Sequence, residues 1–146
     1  MIYIADKLNA YKLKVQDRKV YDPLRDKFVP LTPEEDVRQR MILYLLREMK
    51  VPADRIVVER MLSGFGAKGS KKRIDIGILQ ENGQLKAVIE CKAYGIRFSE
   101  APFQQVIDYV GALKVKAYMV TDGDYCDCYS YDEINDQFVK TDKFPV

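Results

Sequence analysis

Asn82-Gly83 stands between two apolar, alternating runs, Arg73-Ile74-Asp75-Ile76-Gly77-Ile78-Leu79 and Leu85-Lys86-Ala87-Val88-Ile89-Glu90-Cys91-Lys92. No other feature restricts the chain as much, because Asn-Gly supplies the positive φ that both central residues of a type I′ hairpin turn require. A two-residue loop there makes Glu81 face Gln84, and paired positions then sum to 165 along the ribbon. Ile78 faces Ala87, Ile76 faces Ile89 and Ile74 faces Cys91, so one side is wholly apolar. On the other side Asp75 stands opposite Glu90, with Lys92 two residues further on and sharing that side. Carboxylates placed across from each other destabilise a sheet by roughly 0.2–1 kcal/mol, and a cation between them removes the penalty. The register alone thus predicts a divalent metal site with a lysine beside it. It also predicts that, without metal, Asp75→Asn leaves stability unchanged or raises it. The alternative is a half-buried ribbon with an ordinary solvated outer face. Val88 and Leu79, apolar on the side that would then be wet, speak against it.

The chain has 146 residues, 47% of them hydrophobic, enough for one domain with a real core. A net charge of +2 gives no global polybasic character, although Lys68, Lys71, Lys72 and Arg73 cluster locally. No secretory signal or membrane-spanning run is visible, which points to a cytoplasmic protein with no membrane role. The three cysteines read as reduced thiols; Cys126 and Cys128 share one strand face, but a zinc site lacks further ligands. Histidine is absent, which excludes imidazole bases, catalytic triads and HExxH zinc sites. Any hydrolysis must be run by carboxylates, lysine and metal-bound water. Gly64-x-Gly66-x-x-Gly69 leads into another strand, not a helix, so it is no dinucleotide fingerprint. With its lysines it suits phosphate-backbone contact or a solvated loop equally well.

Residues 1–31 read as an N-terminal extension with short strands near 13–15, 19–21 and 28–31, ahead of a core over 32–146. Thr32, Pro33 and Glu35 form a capping box that starts a buried helix reaching Met49, before Pro52. Strands follow at about 55–60, 73–80 and 85–93. A second helix runs from Ser99 to about Lys114, with Phe103, Val106, Ile107 and Val110 on its core stripe and Gln105 and Tyr109 on one flank. Strands near 117–121, 125–131 and 137–141 complete the chain. The core order is α-β-β-β-α-β, an α/β fold with a mixed sheet flanked by helices.

Asp75, a gap of fourteen residues and then Glu90-x-Lys92 resembles the core of the PD-(D/E)xK nuclease superfamily. With Thr32-Pro33-Glu34-Glu35 before it and Gln105-Val106-Ile107-Asp108-Tyr109 after it, the chain resembles the N-terminal nuclease domain of type I restriction enzyme R subunits, in a compact, separate form. Tyr21-Asp22-Pro23-Leu24-Arg25 and Val120-Thr121-Asp122-Gly123 extend the likeness over most of the sequence. One departure is Ile74, where the superfamily has proline before the aspartate.

The resemblance implies a restriction-endonuclease-like fold and a metal-dependent nuclease, with DNA as the expected substrate. Asp75, Glu90 and the Cys91 backbone carbonyl are expected to hold Mg²⁺ or Mn²⁺, and of the first-helix acids Glu34 and Glu35, either of which can point into the site, Glu35 is named as the further ligand. Lys92 is expected to orient or deprotonate the attacking water. Gln105 and Tyr109, with Arg73, Lys71 and Lys72, are expected to position the substrate, and Arg38 and Gln39 to touch DNA or support the site. A separate translocase or restriction-modification subunit is the implied partner. Two rival classes stay open: a non-cleaving nucleic-acid-binding or regulatory module, and a partner-binding protein whose carboxylate pair is incidental.

Overall fold

Thr32 begins the long helix as expected. The structure, a computed structural model, describes residues 1–66, 72–95 and 115–144. Thr32 Oγ1 accepts the Glu35 backbone N–H at 3.0 Å, and Pro33 opens α2 (Pro33–Arg47). Only half of the capping box forms, because the Glu35 side chain turns to arginines instead. The helix ends where Glu48 and Met49 N–H both meet the Tyr44 carbonyl, Lys50 takes φ 57°, and Val51 N–H closes on Leu45 O at 2.9 Å. Val37, Met41, Ile42, Tyr44 and Leu45 are buried, as their helical spacing requires.

This face covers a mixed seven-stranded sheet. β5 (Ile56–Met61), β6 (Arg73–Leu79) and β7 (Leu85–Cys91) run antiparallel in turn, and β8 (Ala117–Thr121) lies parallel to β7. β9 (Tyr125–Asp132) is antiparallel to β8, and both β10 (Gln137–Thr141) and β1 (Ile2–Tyr3) pair along β9. The strand order is β1-β9-β8-β7-β6-β5, with β10 beside β9. The expected second helix, over 99–114, lies outside the described residues.

The N-terminal residues are tied into this body. The short helix α1 (Ala5–Leu8) follows β1, and Ile4 and Leu8 join the core beneath α2. β2 (Val15–Gln16), β3 (Lys19–Asp22) and β4 (Lys27–Pro30) form a separate three-stranded sheet. Its first turn is a two-residue one, Asp17-Arg18, with φ 51° and 61° between the Gln16–Lys19 pair. The positive-φ geometry expected at Asn82-Gly83 is therefore found here instead.

At Asn82-Gly83 only the glycine has positive φ, 84°. Gly83 N–H bonds Gln80 O at 3.0 Å and Gln80 N–H bonds Gln84 O at 2.8 Å, so the loop is the three residues Glu81-Asn82-Gly83 and Gln80, not Glu81, faces Gln84. That loop shifts the register by one, as the Leu79–Leu85 pair shows. Lys86 then enters β7 as an extra residue, and Ile78–Ala87 and Ile76–Ile89 pair as expected. The turn is thus of another type than Asn-Gly suggests, and the bulge restores the register.

Two apolar clusters pack on the sheet. Ile76, Ile78, Ala87, Ile89, Cys91 and Met119 meet α2, while Ile74, Leu85, Val88, Tyr118 and Val120 gather with Leu62. Ile74 and Cys91 thus fall in different clusters, against the expected facing pair. Ile74 can reach the second cluster because Gly77 carries no side chain. A Cβ there would lie 2.8 Å from Ile74 Cδ1, 2.8 Å from Val57 Cγ2 and 2.9 Å from Leu85 Cδ1. Gly77→Ala should overpack this cluster and lower stability by roughly 1–3 kcal/mol; urea unfolding of the two proteins measures it.

Candidate functional site

β6 and β7 part where the acids begin. Their pairing runs from Leu79–Leu85 to Ile76–Ile89. Beyond it β6 continues against β5, through Ile74–Arg60 and Arg73–Met61, and β7 against β8, through Glu90–Val120 and Cys91–Thr121. Lys92 N–H goes to Thr121 O at 2.8 Å, so the Cys91 N–H points the other way, toward β6. Asp75 Oδ2 accepts it at 2.8 Å. A side-chain carboxylate has taken the place of a backbone carbonyl, and it ties Asp75 to the residue after Glu90.

The other oxygen, Asp75 Oδ1, accepts Arg38 Nη2 at 2.8 Å. Arg38 comes from α2, is buried, and stands among four carboxylates. Nη1 donates to Glu35 Oε1 at 2.6 Å, and Nη2 lies 3.3 Å from Glu34 Oε1 and 2.6 Å from Glu59 Oε1. Burial works to lower its pKa, but Asp75, Glu35 and Glu59 outweigh it and hold the guanidinium charged. With this cation in place, the sign expected for Asp75→Asn reverses. Neutralising Asp75 breaks a buried ion pair instead of relieving repulsion.

Glu90 is buried, and its Oε1 has no hydrogen-bond partner. Burial, then the charge of Asp75 and a hydrogen bond shared with it, push the Glu90 carboxyl well above the usual glutamate range, against the pull of Lys72 and Lys92. Lys92 also acts on Glu34, whose carboxyl is raised by burial and by Asp75 and lowered by Arg38 and Lys92. Glu34 thus lies in the field of Asp75 and Lys92. Glu35, the acid expected there, accepts instead from Arg38, from Gln39 at 3.1 Å and from Arg25 at 3.3 Å. Behind it, Asp22 takes Arg25 Nε at 2.6 Å, Gln39 Nε2 at 3.0 Å and the N–H groups of Leu24 and Arg25. Gln39 and Arg25 thus brace Glu35 and, through it, Arg38.

Arg73 is largely exposed and lies 3.8 Å from Glu59 Oε2. The Cys91 thiol is held well above its ordinary pKa by burial and Asp75, so it is no nucleophile. Beyond Lys92, Tyr94 donates to Asp36 Oδ1 at 3.0 Å and fastens this segment to α2. Lys71, Gln105 and Tyr109 lie outside the described residues. Glu59 was missed by sequence reasoning. It lies between the pairs Val58–Ile76 and Arg60–Ile74, directly opposite Asp75. A long connection joins β5 to β6, so no turn announces that register.

The donor set suits a hard cation. Oxygen acids are gathered, histidine is absent from the chain, and the cysteine is a neutral thiol. Glu90 Oε1 is an orphaned buried acceptor, and Arg38 Nη2 has two hydrogens for three neighbouring carboxylates. Among the described residues no three His, Cys, Asp or Glu side chains form a ready-made cage. Mg²⁺ needs none, since it keeps several waters and takes one or two carboxylates. The residues fit such an ion.

The raised Glu90 pKa fixes the sign of a pH effect. Above the ordinary glutamate value of 4.5 the unfolded chain releases this proton while the folded, metal-free protein keeps it. Glu90 therefore costs the fold increasing stability as pH rises from 4.5 until it ionises in place. Glu90→Gln should gain stability relative to wild type across that window, and melts in chelator from pH 4.5 upward check it.

Residues 33–145 match the model of the type I restriction enzyme R protein N terminus. No curated protein matches the chain. The matched span takes in α2, β5–β9, Asp75, Glu90 and Lys92. The chain belongs to the type I restriction enzyme R protein N-terminal family.

Proposed function

We propose that this protein is a metal-dependent nuclease of the restriction-endonuclease-like fold, hydrolysing phosphodiester bonds in DNA. One observation carries the reading: the buried carboxyl groups of Asp75 and Glu90 come together where β6 and β7 part, Asp75 bonded to the Cys91 N–H and a Glu90 oxygen left unpartnered, with Lys92 close enough to act on Glu90. Family membership supports a restriction-related nuclease role. Asp75, Glu90 and the Cys91 carbonyl would hold Mg²⁺ or Mn²⁺, which on binding lowers the pKa of water and polarises a phosphate oxygen. Lys92 orients the attacking water and balances charge that builds on the phosphate. Glu90 must give up its proton to serve as a ligand. Arg73, Lys71 and Lys72, with Gln105 and Tyr109, are proposed to meet the DNA backbone, a contact that carries no base information. Sequence choice would then come from a partner such as a translocase or restriction-modification subunit. Among the described residues no helix is long and apolar enough to cross a membrane.

A second reading, a non-cleaving nucleic-acid-binding module, has one observation in its favour. Arg38 already supplies Asp75 with a cation. Plasmid and oligonucleotide cleavage with Mg²⁺ or Mn²⁺, against an EDTA control, separates the two readings.

Three proteins sharpen the test. Wild type should be stabilised by Mg²⁺, by about 1.4 kcal/mol at ten times the Kd, because only the folded state binds. Asp75→Asn should lose roughly 1–3 kcal/mol through its broken pair with Arg38, gain nothing from Mg²⁺ and cut no DNA. Lys92→Ala should keep or tighten metal binding and lose hydrolysis. Melts without a magnesium effect in any of them would remove the metal site and leave only the fold.

A further inference from the structure

We propose that Arg38 and Glu59 form a positioning pair for Asp75, setting the plane of its carboxylate so that it meets a bound cation already oriented. The catalytic consequence rests on the nuclease reading above; the geometry does not. A carboxylate held at one oxygen can still turn about that contact. The Cys91 N–H holds Oδ2 at 2.8 Å, and Arg38 Nη2 holds Oδ1 at 2.8 Å, so the plane is fixed at both ends. Each oxygen carries two lone pairs, so beside these two bonds Asp75 keeps capacity for the hydrogen bond shared with Glu90 and, once Glu90 gives up its proton, for a cation.

Arg38 can do this only if its own long side chain is fixed. Glu35 accepts from Nη1 at 2.6 Å within α2, Nη2 donates to Asp75 and, at 3.3 Å, to Glu34, and Glu59 meets Nη2 as an ion pair at 2.6 Å from β5. That last contact comes from an unusual backbone. Glu59 has φ 55°, the left-handed region, in the middle of a strand that is otherwise in uniform register with β6. A side-chain-bearing residue rarely adopts it, and such strain persists where surrounding structure demands it. The kink falls opposite Asp75, between Val58–Ile76 and Arg60–Ile74. The group is also a poor way merely to stabilise a fold. Arg38 Nε is buried without a partner, and well-packed apolar residues commonly replace such clusters at no loss.

Two variants test the pair, with Arg55→Gln, which breaks the surface pair to Glu81, as control. Arg38→Lys keeps the charge and removes the planar fork, so a change in it reads geometry. Glu59→Gln keeps the shape and removes one charge. In metal-free protein the Cys91 amide resonance reports its hydrogen bond to Asp75. It should move in both variants and not in the control, while the amides of Met41 and Met119 in the core stay put. Mn²⁺ affinity should fall about 10-fold in Arg38→Lys, the usual cost of losing an outer partner of a metal ligand. Cleavage at saturating metal should fall with KM for the oligonucleotide unchanged. An unmoved Cys91 amide, or an Arg38→Lys affinity within about twofold of wild type, overturns the proposal. If wild type binds Mn²⁺ but cuts nothing, the nuclease reading fails and the amide and affinity still decide the pair. If wild type binds no metal, the Cys91 amide alone decides it: movement in both variants supports the pair, and none overturns it.

Discussion

The hydrogen bond from Cys91 N–H to Asp75 Oδ2 lets two neighbouring strands separate without leaving a buried donor unpaired. β6 and β7 must stay joined below Ile76–Ile89, because their apolar residues cover the core under α2. They must part above it if a reacting group is to enter between the acids. A backbone carbonyl cannot meet both needs, since it would pull the strands together. The longer reach of an aspartate can. Both neighbouring ladders carry on past the opening, β5 against β6 and β8 against β7, so the gap is held open from each side.

An opening lined with acids is electrostatically expensive, and the chain meets the cost in two ways. Arg38 neutralises the α2 side, with Asp22, Arg25 and Gln39 from the small sheet and helix holding its partner Glu35 in place. On the β7 side Glu90 is driven toward its neutral form by burial and Asp75. The N-terminal sheet thereby matters to the site, although it contributes none of the three residues proposed for chemistry. Asp22 shows how firmly that support is built. Burial alone would raise its pKa, yet bonds from Arg25, Gln39 and Leu24 bring it below the usual carboxylate range.

Local chemistry made much of this legible in the sequence. Thr32-Pro33 marked the helix start, and alternation marked β6 and β7. The pairs Ile76–Ile89 and Ile78–Ala87 followed from the hairpin even though its turn was of another type. Long-range geometry was less visible. Periodicity put Ile74 beside Ile76, but the empty space at Gly77 draws it to the other cluster. The choice between Glu34 and Glu35 depended on where Arg25 and Gln39 reach, and neither reach is a property of the helix itself. Glu59 was hidden because the connection between β5 and β6 is too long to dictate which residues meet.

The bulge at Lys86 has a bearing on how this hairpin can vary through descent. Length can change on the turn side of the Ile78–Ala87 pair without reaching the acids. A loop shortened to two residues can still be closed by Gln80 and Gln84, and loss of Lys86 would set Ala87 next to Leu85 in a straight strand. A residue gained or lost between Ala87 and Glu90 has no such outlet. It would move Glu90 to the other side of the sheet, away from Asp75.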